Sequence, residues 1–159
     1  MDRDIKFGFW NYVESGVYGV EAVDQWKDLR CNLPMSFTFD INKHKKEDMI
    51  AVLDKCQEYG MKLVLRDERT SFRTFQRLGK EEFKKGVLNA YNDFGKHPAT
   101  FGFFVGDEPG VTEYDDYIAI LVIFFPPTVT TIRIFHLIKL VGIVRKDIVA
   151  DFDNYKAWF

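Results

Sequence analysis

Asp107 and Glu108 stand side by side before Pro109, and a few other residues along the chain are of types that do chemistry: Trp10 with Asn11, Asp40, and the run Arg66-Asp67-Glu68-Arg69. Carboxylates transfer protons or hold cations, and Asp67, Asp107 and Glu108 together would offer the oxygen ligands that magnesium prefers. Each of these residues also has a plainer reading. Asp-Glu-Pro after a strand makes a helix-entry turn, with its carboxylates near the positive end of the helix. The Arg66–Arg69 run reads as a solvated loop with internal ion pairs, and Trp10 serves equally as core or as an exposed platform. His44, His97 and His136 have no ligand spacing, so the pattern does not point to zinc. Cys31 and Cys56 lack CxxC or CxxH spacing and read as buried free thiols.

These residues become a set because each follows a short apolar run. Ile5–Trp10 has no helical period and reads as a strand, followed by a loop at Ser15, Gly16 and Gly19. Val20, Val23, Trp26 and Leu29 then lie near one face of a helix over Val20–Arg30, closed by Leu33-Pro34. Met35–Phe39 is a second strand, with Asp40 at its end and Asn42, Lys43 and His44 in a loop. Lys46–Tyr59 repeats Met49, Ile50, Val52, Leu53 and Cys56 at helical spacing, and Gly60 sits where a left-handed cap is wanted. Lys62–Leu65 reads as a third strand, running into the Arg66–Arg69 charges. Lys80–Phe94 reads as a helix through Phe83, Val87, Leu88, Tyr91 and Phe94, stopped by Gly95 and His97-Pro98. Thr100–Val105, nearly continuous in apolar residues, suits a parallel strand covered on both faces.

Four strands alternating with three helices predict an α/β fold with a parallel sheet, since each same-direction return needs a crossover. A nucleotide-binding open sheet would carry a Gly-rich turn after its first strand, and Asn11–Gly16 lacks the GxGxxG spacing. The expected architecture is therefore a (β/α)8 TIM-barrel type in partial form, with residues 1–117 as its N-terminal half. In such barrels the active site lies at the carboxyl ends of the strands, where Trp10, Asn11, Asp40, Arg66, Asp67, Asp107 and Glu108 all fall.

Composition allows this. The chain has 159 residues, 47% of them hydrophobic and 16% aromatic, which supplies a substantial core. A net charge of -2 with both signs interspersed points to no nucleic acid and no cationic partner. The apolar runs 118–125 and 132–144 are each shorter than the roughly 20 residues of a membrane helix, and Pro126-Pro127 separates them, so no membrane span is expected. Met1–Lys6 is polar and carries no signal-peptide pattern, and the compartment stays unassigned. Residues 118–159 differ in texture, with only Arg133 and Lys139 charged between Ile118 and Val144. They read as an apolar C-terminal segment, either of the same domain or an aberrant tail. A full barrel takes about 250 residues. A cut chain or a disrupted frame after about Tyr117 is therefore one reading of that change.

The run from Gly95 to Pro109, GKHPATFGFFVGDEP, resembles strand four of (β/α)8 glycoside hydrolases and hydrolase-like barrels. There a His-Pro-Ala turn and a glycine-aromatic strand lead to Asn-Glu-Pro or Asp-Glu-Pro. Phe7-Gly8-Phe9-Trp10 is compatible with strand one of the same families. The resemblance implies that Glu108 is the general acid/base, and burial with a neighbouring anion such as Asp107 would favour the protonated form this role needs. It further implies a carbohydrate substrate, and no cofactor is expected. Trp10 offers a stacking platform for a sugar ring, and Asn11, Asp40, Arg66 and Asp107 are expected as sugar contacts from their places at the strand ends. Asp107 replaces the commoner Asn and, when ionised, can only accept a hydrogen bond. The second carboxylate is expected near a seventh strand, and Asp151 and Asp153 sit in a sequence more like a helix start.

Overall fold

Five consecutive buried residues, Met35–Phe39, form the strand β1, as their β-branched and aromatic content favours. The computed structural model describes residues 5–107, 110–113, 115–116, 120 and 143–145. In chain order these carry α1 (Ala22–Asp28), β1, α2 (Lys46–Glu58), β2 (Leu63–Asp67), α3 (Phe72–Leu78), α4 (Lys80–Ala90), β3 (Thr100–Phe104) and β4 (Ile143–Arg145). β1 pairs with β2 and β2 with β3, both in parallel, and the helices between them make the crossovers.

Two expectations change. β4 adds to β3 in antiparallel register, Phe104 opposite Ile143, so the sheet is mixed rather than wholly parallel. Ile5–Trp10 forms no regular strand. Residues 7–15 instead run irregularly beside β1: Met35 N donates to Phe9 O at 3.2 Å, Thr38 N to Val13 O at 2.8 Å, and Ser15 N to Thr38 O at 2.9 Å. One more residue lies between Phe9 and Val13 than between Met35 and Thr38, which breaks the ladder as a bulge does. Pairing thus reaches Ser15, which the sequence places in a loop. Gly8 is required here, since a Cβ would lie 1.9 Å from the Leu33 carbonyl oxygen.

Alternation divides the sheet into two faces, except that a register shift between Met35 and Thr38 takes Met35 off the face of Phe37 and Phe39. Phe37, Phe39, Leu63, Leu65 and Phe103 meet Val23, Trp26, Leu53, Phe83 and Val87 of the helices in the main core. Burying each such side chain contributes roughly 1.5–3 kcal/mol. Met35, Val64 and Phe104 form a much smaller cluster on the other face, flanked by Leu33 and Phe101. Cys31 and Cys56 are buried free thiols, and burial pushes the Cys56 thiol up to about 12.

The expected helix over Val20–Arg30 is trimmed at both ends, leaving Val20 and Leu29 exposed while Ala22, Val23 and Trp26 are buried. Gly60 adopts a positive φ of 69° after α2, as the cap requires. The helix expected over Lys80–Phe94 is α-helical only to Ala90 and then widens into a π turn, Tyr91–Gly95. No helix of the described residues is long and apolar enough to cross a membrane.

Candidate functional site

Successive residues at the end of β2 face opposite ways and acquire opposite roles. Asp67 turns into the helix-covered core, where it is 2% exposed. Its carboxylate accepts from Arg69 N at 2.9 Å, Nε at 3.0 Å and Nη2 at 2.7 Å. Arg69 Nη1 donates to Asp93 Oδ2 at 2.6 Å, and Lys46 Nζ to Asp93 Oδ1 at 2.6 Å. Burial pushes the Asp67 carboxyl up from the usual carboxylate range, opposed by the Arg69 donors. At Asp93 burial also works against ionisation, but the bonds from Lys46 and Arg69 prevail and hold the carboxyl below that range. The run read as a solvated loop is therefore half sunk: its ion pairs are internal, but Asp67 and Arg69 are core groups. With both oxygens committed, Asp67 is a poor candidate for a metal ligand.

Arg66 points to the other face. Its backbone nitrogen donates to Ser36 Oγ at 2.9 Å, and Nη1 donates to the Asn11 carbonyl at 3.1 Å. The guanidinium carbon lies 4.6 Å from the centre of the Tyr12 ring, a cation–π contact. Asn11 is buried because its Oδ1 accepts from Val13 N at 3.0 Å, an Asx turn that holds the irregular segment in place. Two residues before Tyr12, Trp10 is 43% exposed, and its ring centre lies 5.5 Å from that of Phe104.

These groups border a cleft of about 490 Å³ lined in part by Tyr12, Arg66, Phe104, Gly106, Asp107 and the exposed Arg73. Gly106, at φ 151°, makes the turn out of β3 that brings Asp107 to the rim. The single hydroxyl proton of Thr70 is shared between the carbonyls of Asp67, 2.9 Å from Oγ1, and Phe104, at 3.1 Å, tying the ends of β2 and β3 together beneath it. Among the described residues the Arg66 guanidinium has no carboxylate partner, so its remaining N–H groups are open to a ligand.

The expected site residues thus divide. Arg66 and Asp107 share the cleft, and Trp10 and Asn11 support it through Phe104 and Arg66. Asp40 lies apart, lining a second hollow. Its Oδ1 accepts from Asn42 N at 2.9 Å and Nδ2 at 3.1 Å, and these bonds, with Lys43 nearby, hold the carboxyl below its usual range. His97 is structural: Nδ1 accepts from Ala99 N at 3.1 Å, and Nε2 meets Asp54 at 2.9 Å. Glu108, His136, Asp151 and Asp153 lie outside the described residues. The sequence reading omitted Tyr12, Ser36 and Phe104; Tyr12 and Phe104 follow Trp10 and Gly102 at the spacing of two that puts strand residues on one face.

No family model and no curated protein matches this chain. Among solved structures it is similar to a beta-galactosidase from the psychrophilic Marinomonas ef1, at 15% identity and TM-score 0.49, over 76% of this chain and 24% of that one. A glycoside hydrolase matches at 14% identity and TM-score 0.43, over 74% and 46%. A beta-galactosidase from Rahnella sp. R3 matches at 14% identity and TM-score 0.40, over 79% and 27%. The chain spans less than half the length of each of these structures.

Proposed function

We propose that this chain is the N-terminal half of a (β/α)8 barrel of the glycoside-hydrolase type, that it takes a carbohydrate at the carboxyl ends of its strands, and that Glu108 is the general acid/base. The observation that carries the reading is the cleft bordered by Arg66, Tyr12, Phe104 and Asp107, since Asp107 is the neighbour of Glu108 in the chain. Ligands of open parallel sheets and barrels bind at this end, because the loops after the strands gather there. Tyr12 and Trp10 supply flat apolar surfaces for a sugar ring, and Arg66 supplies oriented donors for its hydroxyls.

In this mechanism Glu108 gives its proton to the glycosidic oxygen as the bond to the anomeric carbon breaks, then takes one from water. A second carboxylate must stand about 5–5.5 Å away for retention or roughly 6.5–9.5 Å away for inversion. Turnover therefore belongs to a form of the protein that supplies it, and the present chain is expected to bind sugar rather than cleave it. One residue favours a binding-only role for the whole barrel: Asp107, when ionised, accepts from a sugar hydroxyl but cannot donate to it.

The test is a screen of the longest natural form against chromogenic glycosides beside its Glu108→Gln variant. Loss of turnover by about 100-fold or more, with sugar binding retained, is expected for a general acid/base. Equal turnover by both proteins overturns the role.

A further inference from the structure

The second hollow, which shares Glu68 with the Arg66 cleft, has a volume of about 430 Å³, within the usual range for small-molecule sites. Asp40 and His44 of the loop after β1 form one wall, Arg77 and Leu78 of α3 the other, and Thr38 belongs to its lining. Thr38 is 8% exposed, and its Oγ1 is buried without a hydrogen-bond partner. Such a hydroxyl costs about 1–3 kcal/mol unless something satisfies it. A 120° turn about χ1 carries the hydroxyl to the position its methyl holds and the methyl to that of the hydrogen, which gives a ligand in the hollow a route to it.

The other groups are prepared in the same way. His44 Nδ1 accepts from Asp40 N at 2.9 Å, which places the ring proton on Nε2 as a donor. Asp40 spends Oδ1 on Asn42, while Oδ2 is 3.8 Å from Lys43, beyond hydrogen-bond reach, and stays open as an acceptor. The Arg77 guanidinium and the Glu68 carboxylate have no ion pair or hydrogen bond among the described residues.

Charge selects the ligand class. Three carboxylates, Glu14, Asp40 and Glu68, border the hollow and repel an anion. Lys43, Arg69 and Arg77 border it too and repel a cation. A neutral molecule whose hydroxyls each donate and accept can use both sets, and Ile41 and Leu78 give its C–H surface an apolar contact. We propose that this hollow is a second site, binding a neutral sugar ring through Thr38, Asp40, His44, Glu68 and Arg77. It uses none of the residues assigned to catalysis and stands or falls apart from Glu108.

The decisive variant is Thr38→Val, which keeps the shape and removes only the hydroxyl. Titration of the full chain with D-galactose, up to about 100 mM and followed by heteronuclear NMR, is expected to shift His44, Asn42 and Arg77, with millimolar affinity. Thr38→Val should melt at or above wild type, because an unsatisfied group is gone, yet bind galactose about tenfold more weakly, as does Arg77→Ala. Shifts confined to Tyr12, Arg66 and Asp107 would support the first cleft and overturn this one. Unchanged affinity in Thr38→Val, tighter binding of glucuronate or glucosamine than of galactose, or no shift at all would also overturn it.

Discussion

The carboxylate of Asp67 accepts three hydrogen bonds from Arg69, two residues along, the shortest from Nη2 at 2.7 Å. The pair is almost wholly removed from water, with side-chain exposures of 13% for Arg69 and 1% for Asp67. It is the fixed point from which the end of β2 sends Arg66 outward, and Asp93 with Lys46 extends it to the π turn and the start of α2.

Removing Arg69 leaves Asp67 buried and uncompensated, the costly half of a broken ion pair. Arg69→Met is expected to lose about 3–5 kcal/mol of unfolding free energy. Asp67→Leu combined with Arg69→Met should recover part of that, since two apolar groups need no partner. Urea denaturation measures both, and a single variant within about 1 kcal/mol of wild type would show that the pair does not hold the strand end.

Asp93 sets how the fold responds to acid. Its folded-state carboxyl is held below the usual range, so it adds stability above the unfolded value of about 3.9, and that stability is lost as pH falls through the folded value. Asp40 acts in the same sense. Asp67, held above the usual range, acts oppositely: its contribution is complete below the unfolded value and fades as pH rises through the folded one. Asp93→Asn should therefore melt lower than wild type near neutrality and approach it as pH falls through the folded value. Melting curves taken across this range check it, and parallel curves for the two proteins would remove Asp93 from the acid response.

How far the sequence could be followed depended on what ordered each element. Met35–Phe39 and the long helix from Lys46 were evident, because a short β-prone run buried on both faces and an apolar stripe at helical spacing are both local patterns. The segment 7–15 was not, because its path is set by the backbone of β1: Gly8 passes against the Leu33 carbonyl, and an extra residue precedes Val13, contacts without any periodic signature. α3 escaped notice at seven residues, although Ser71 accepts from Arg73 N at its start, and Phe72 and Thr74 are buried. At the site the sequence placed Arg66 and Asp67 together at a strand end, but their opposite fates follow from alternation once β2 extends to Asp67. Asp40 was grouped with them for the same reason of position, and the Asx turn to Asn42 takes it elsewhere.

Arg66 tests the carbohydrate cleft without touching the core. Its guanidinium is held by the Asn11 carbonyl and the Tyr12 ring, so its planar fork is set before any ligand arrives. Lysine keeps the charge but loses the plane, the stacking and the spread of donors. Arg66→Lys should thus weaken sugar binding at this cleft by roughly tenfold, the value of one or two oriented hydrogen bonds, while unfolding free energy changes by less than about 1 kcal/mol. Tyr12→Ala should do the same through a different loss, releasing the guanidinium and removing a stacking surface. If the two variants act through one positioned group, their double variant will bind little worse than either alone. Full additivity in the cycle, measured by calorimetric titration, would mean that Tyr12 does not position Arg66 for ligand.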